Sequence, residues 1–124
     1  MATWIVPELP QAFWGNIWLD GEVAPVGTQV TGQAENVRLP APNNPLVITE
    51  AGKLGGDGGF SPKLVAQGDF RRKGGAGPIP RGSPVSFFVE GNPDPLWVYD
   101  PNEGIWAKSV PFKSGGVSEI WLAG

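Results

Sequence analysis

The stretch that decides the fold is Ala12-Phe13-Trp14-Gly15-Asn16-Ile17-Trp18-Leu19, followed at once by Asp20-Gly21. It is the longest run rich in aromatic and branched residues that no proline interrupts, and it alternates. Phe13, Gly15, Ile17 and Leu19 share one face, and Trp14, Asn16 and Trp18 share the other, as the two-residue repeat of a β-strand requires. Asp20-Gly21 is a two-residue hairpin signal.

Outward from this strand the same grammar repeats. Gly27 to Ala34 reads as a second strand, with Thr28, Val30 and Gly32 on one side. Leu39 to Pro45 holds three prolines and is excluded as a central strand, because proline donates nothing to a ladder. Leu46 to Glu50 and Phe60 to Gly68 read as strands, separated by the loop Gly55-Gly56-Asp57-Gly58-Gly59. The segment from Asp69 to Pro84 reads as a long loop. Val85 to Glu90 alternates cleanly: Val85, Phe87 and Val89 face one way, Ser86, Phe88 and Glu90 the other. Leu96 to Asp100 and Ile105 to Ser109 flank Pro101-Asn102-Glu103-Gly104, the chemistry of a type I turn with a G1 bulge. Val117 to Leu122 closes the chain. Seven to nine short strands with turn residues every 8 to 12 positions are expected to form an all-β, antiparallel β-sandwich. Its predicted core is Phe13, Ile17, Leu19, Val30, Leu64, Val85, Phe87, Val89, Ile120 and Leu122.

Composition agrees. The 124 residues include 19 glycines and 14 prolines, a share at which chains often stay unfolded, but also 6 tryptophans and 6 phenylalanines within a 40% hydrophobic content. A loop-rich, folded β domain satisfies both. The length suits one domain. Residues 1–11 are expected to form an arm, kept extended by Pro7 and Pro10. Residues 12–124 form the sandwich.

The missing residue types exclude whole classes of chemistry. There is no cysteine and no histidine, hence no disulfide framework, no thiol nucleophile, no cysteine-bound zinc or haem, and no Ser-His-Asp or Cys-His mechanism. The acids are scattered singly through turns, and the lone tyrosine, Tyr99, sits on a hairpin, so the chain is read as no enzyme with no cofactor. Asp94, Asp100, Asn102 and Glu103 match no calcium-loop spacing, and no metal site is expected. The glycine clusters at 55–59 and 74–77 lack the Lys-Ser/Thr ending of a phosphate loop. A formal net charge of −3 gives no nucleic-acid footprint, and Arg71-Arg72-Lys73 reads as a solvated loop. No apolar run approaches a membrane span. The N-terminus has no basic region and only Trp4 to Val6 as an apolar run, so no leader is expected. Frequent loop proline and a single methionine lean towards a hot-environment source.

Five phrases, taken in order, resemble a known group. They are Pro10-Gln11-Ala12-Phe13-Trp14-Gly15; Leu19-Asp20-Gly21-Glu22-Val23-Ala24-Pro25-Val26-Gly27-Thr28-Gln29-Val30; Leu64-Val65-Ala66-Gln67-Gly68-Asp69; Gly82-Ser83-Pro84-Val85-Ser86-Phe87-Phe88-Val89-Glu90-Gly91; and Phe112-Lys113-Ser114-Gly115-Gly116-Val117-Ser118-Glu119-Ile120. The set resembles a small immunoglobulin-like or transthyretin-like (carboxypeptidase-regulatory-like) β-sandwich module of archaeal and Chloroflexi-like surface proteins. That resemblance implies an accessory or structural module, normally one of several in an exported protein. The segment at about 92–109 departs from it and reads as an inserted hairpin.

The tryptophans carry the functional reading. With Phe13, Ile17 and Leu19 inward, Trp14 and Trp18 face outward; with Ile120 and Leu122 inward, Trp121 faces outward. Such aromatic surface is unusual for a soluble monomer. Trp97, Tyr99 and Trp106 on the hairpin need something to pack on, because a two-stranded ribbon is marginal alone. Trp4, Ile5 and Val6 suit an arm docked on a partner or added to a sheet edge. The expected function is a non-catalytic assembly protein that binds copies of itself or a particle protein: a virion decoration, cement or tail-associated protein, or an extracellular filament subunit. Its expected location is a virion or an extracellular surface. One alternative is a polysaccharide-binding module with Trp14 and Trp18 as a stacking platform, since side chains four residues apart on a strand stand about 13 Å apart. Another is an accessory domain of a larger secreted enzyme.

Overall fold

A computed structural model describes residues 9–71 and 73–124. The expectations placed on Trp4, Ile5 and Val6 lie outside the described residues, as does the central residue of the basic run, Arg72.

Among the described residues the chain is all β, in eleven strands: β1 (Gln11–Leu19), β2 (Glu22–Val23), β3 (Gln29–Gln33), β4 (Leu46–Val47), β5 (Lys53–Leu54), β6 (Leu64–Ala66), β7 (Pro84–Val89), β8 (Trp97–Asp100), β9 (Ile105–Ala107), β10 (Val110–Pro111) and β11 (Val117–Ala123). They make two sheets. The larger runs β2-β1-β11-β8-β9, with β5 and β6 also on β1; the smaller runs β10-β7-β3-β4. The strand count exceeds seven to nine because β2, β5 and β10 have two residues each, too few to show a period. Phe60 to Gly68 shrinks to β6: Phe60 is fully exposed, and the chain before β6 is tied into a turn by Ser61 N donating to Gly58 O. The pairing is not wholly antiparallel, since β1 and β11 run parallel from Ala12↔Val117 to Trp18↔Ala123.

The chain is organised around β1. Its nine residues lack proline, so both edges stay open to pairing. One edge carries β11 throughout; the other is covered in turn by β6, β5 and β2. Residues 11, 13, 15 and 17 are buried while 12, 14, 16 and 18 are half-buried on the outer face, which is the register read from the sequence. Gly15 has φ +151°, and a Cβ there would overlap the Ile120 carbonyl. Only glycine lets β11 lie this close. Asp20 and Gly21 both have positive φ, 54° and 78°, the type I′ geometry that their sequence demands. At the β8–β9 turn, Glu103 N and Gly104 N both donate to Asp100 O, with Gly104 at φ 76°.

Phe13 and Phe87 meet edge to face across the two sheets, 5.1 Å between centroids. Around them lie Ile17, Val30, Leu64, Val85, Ile120 and Leu122, all fully buried as expected. Leu19 and Val89 differ: they pack against the core but stay partly exposed. The core also takes Ile48, Leu54, Ile79, Leu96, Val98 and Phe112, several of them single plugs from irregular chain where no period exists to reveal them. The segment at 92–109 forms the β8–β9 hairpin, and β8 is bonded to β11, so Leu96 and Val98 enter the common core.

Candidate interaction face

The larger sheet buries one face and presents the other, and register decides what stands on it. Trp18 opposes Val23 on one side and Ala123 on the other; Ala123 in turn opposes Trp97. One row down, Asn16 opposes Trp121, Trp121 opposes Tyr99, and Tyr99 opposes Trp106. All these residues point outward. Two adjacent rows of a sheet about 4.8 Å per strand therefore carry five of the chain's aromatic rings.

Four of the rings touch in sequence. Trp18 meets Trp121 edge to face at 6.1 Å, Trp121 stacks on Tyr99 at 5.0 Å with planes 26° apart, and Tyr99 leans on Trp106 at 5.2 Å. Cross-strand aromatic pairs of this kind contribute about 0.5–1.5 kcal/mol each beyond area burial. Trp121 Nε1 donates to Glu119 Oε2 at 3.4 Å, which gives the central indole a polar partner.

At the β8–β9 end the ladder opens into a slot. Trp97, Trp106 and Ala123 line it, an open and mostly apolar depression of about 360 Å³. Trp97 and Trp106 remain 47% and 46% exposed, unlike the half-buried Trp18 and Trp121. Lys108 Nζ lies 4.0 Å from the Trp97 ring centroid, a cation–π contact, and donates to Pro95 O at 3.3 Å. It places one positive charge at the slot's margin.

Of the residues singled out in the sequence, Trp18, Trp121, Tyr99 and Trp106 are brought into one ladder and Trp97 into the slot. Trp14 is not part of it. It lines a polar depression of about 360 Å³ with Asn16, Glu50, Lys53, Asp57 and Glu119. The diagonal pairing of Trp97 with Trp106 was legible in the hairpin's alternation and its four-residue turn. Exposed Phe60 and Phe70 were not, since they stand on loops that have no period.

The remaining candidates resolve into local roles. Arg71 grips the Asp69 carboxylate with two donors, Nε at 2.8 Å and Nη2 at 2.5 Å. The guanidinium holds Asp69 down to about 2, below the usual carboxylate range, and Asp69 in turn raises Arg71. The 55–59 loop turns carbonyls towards a cation: Lys63 Nζ donates to Gly58 O and Ser61 O, opposite in polarity to a phosphate cradle. Asp100 Oδ1 accepts from Asn102 N inside its turn. Among the described residues no three carboxylates gather as a metal site.

Compared with protein-family models, with curated proteins and with solved structures, the chain finds no match.

Proposed function

We propose that the protein is a non-catalytic assembly component, associating with copies of itself or with a larger particle through the outer face of its main sheet. The carrying observation is the unbroken run Trp18–Trp121–Tyr99–Trp106 ending in the half-exposed Trp97–Trp106 slot. A sheet face needs no such ladder to meet water, and exposed contiguous aromatic surface marks an interface. Stiff indoles also lose little side-chain entropy on contact, which suits a lasting one. The adjacency of first and last strands supports the finer immunoglobulin-like or transthyretin-like class. The resemblance to surface modules supports placement on an extracellular surface, as in a filament subunit.

Sedimentation velocity across a hundredfold concentration range tests the proposal. The full chain is expected to gain mass with concentration, and Trp97→Ala/Trp106→Ala to remain at the monomer mass. A full chain that stays monomeric at millimolar concentration and binds no particle protein contradicts it.

A second reading has its own observation. Trp14 in a depression walled by carboxylates, an amide and a lysine combines a stacking face with hydrogen-bonding groups, the pairing a polysaccharide uses. Retarded migration in polysaccharide gels, lost in Trp14→Ala but kept in Trp97→Ala, supports that reading; equal migration of all three proteins removes it.

A further inference from the structure

Resting on the assembly reading above, we propose that the Trp97–Trp106 slot receives the Pro7-Glu8-Leu9-Pro10 segment of a second copy of this chain, so that copies join head to tail.

The slot is open, apolar and flanked by two indoles. Val98 opposes Ala107 and Tyr99 opposes Trp106, so Trp97 and Trp106 are diagonal neighbours whose Cα atoms stand about 7–8 Å apart. Two exposed indoles on neighbouring strands offer apolar faces against which a saturated ring packs in van der Waals contact. Ala123 adds a methyl group to the lining.

The segment has the matching form. Sequence alone places two prolines three residues apart, the spacing that would align them along one edge if the segment bound in polyproline II form, which repeats every three residues. Segments of this spacing dock in aromatic-lined grooves, with little ordering entropy left to lose. Charge agrees as well: Glu8 is the only charged side chain in residues 1–10, and Lys108 stands at the slot's margin.

Geometry assigns the segment to a neighbour. Leu9 is held at the start of β11, where its N donates to Ser114 Oγ at 2.6 Å and its O accepts from Gly115 N at 3.4 Å. Ala12 pairs with Val117, whereas the slot lies at Ala123, six residues and about 20 Å further along the strand. The root of the segment and the slot thus sit at opposite ends of the sheet. A contact between such different patches is heterologous and propagates into rings or open chains.

Complementation tests this. Full-length Trp97→Ala/Trp106→Ala has a dead slot and an intact segment; full-length Pro7→Ala/Pro10→Ala has the reverse. Thermal unfolding confirms that both variants fold. Each alone is expected to associate at least tenfold more weakly than the parent. Mixed in equal amounts, they are expected to form a species of twice the monomer mass and nothing larger, because one working junction remains. If the proline variant assembles like the parent while the slot variant does not, the face assembles by another contact; the assembly reading stands and this inference is overturned. A slot variant that assembles like the parent, or two monomeric variants that yield no product on mixing, also overturns it. A parent chain that stays monomeric overturns this inference, and overturns the assembly reading with it if the chain also binds no particle protein.

Discussion

Tyr99 stacks on Trp121 with ring centroids 5.0 Å apart and planes 26° apart, and the two residues are opposed partners on adjacent antiparallel strands. Trp121 also meets Trp18 in a T-shaped contact. One indole thus joins the first strand, the last strand and the hairpin on the sheet's outer face. Trp121→Ala removes both contacts together with much apolar area, and is expected to cost about 2–4 kcal/mol. Trp97→Ala, at an open position, is expected to stay within about 1 kcal/mol of the parent. Urea-unfolding midpoints at fixed m-value separate the two.

Gly15 is the position least able to accept a side chain. Its φ of +151° and the Ile120 carbonyl in the way of a Cβ combine backbone strain with a clash against main chain. Gly15→Ala is expected to destabilise by about 3 kcal/mol or more, read as loss of cooperative unfolding at ambient temperature. A variant with the parent's midpoint shows that β1 and β11 are not in this register.

Asn44 stands in for a strand. Fully buried, it accepts from Gly32 N at 3.0 Å and donates to Gly32 O at 2.9 Å, continuing the edge of β3 beyond its pairing with β4. Asn44→Ala leaves both Gly32 groups without partners, at an expected cost of about 2–4 kcal/mol. Hydrogen exchange at the Gly32 amide is expected to quicken more than at Val30, whose strand partners are unchanged.

Asp69 gives the chain an acid-sensitive element. The Arg71 guanidinium beside it holds its carboxyl at about 2, against 3.8 unperturbed. A carboxyl depressed in the folded state adds stability that is complete above its unfolded pKa and is lost as pH falls through the folded one. The melting temperature is therefore expected to drop between about pH 4 and pH 2, with Asp69→Asn flattening that part of the profile. An unchanged profile in Asp69→Asn assigns the acid sensitivity to other carboxylates.

The outer face was readable because alternation in Phe13–Leu19 and Ser118–Leu122 leaves the indoles one place to go once the apolar residues turn inward. Its organisation was not. That Trp121 touches Trp18 and Tyr99 but not Trp14 depends on a parallel β1–β11 register, and no local pattern encodes the stagger between strands a hundred residues apart. Ile79, set between Pro78 and Pro80, and Phe112 were missed for a related reason: a single apolar residue in irregular chain has no period, and its burial is fixed by the cavity it plugs.

Acrylamide quenching of tryptophan fluorescence, measured alongside mass at rising protein concentration, addresses the outer face itself. Quenching of the full chain is expected to weaken in step with assembly, as Trp97 and Trp106 lose contact with solvent, and Trp97→Ala/Trp106→Ala is expected to show no such change. If mass rises while quenching stays constant, the copies meet elsewhere and the aromatic face is not the surface that joins them.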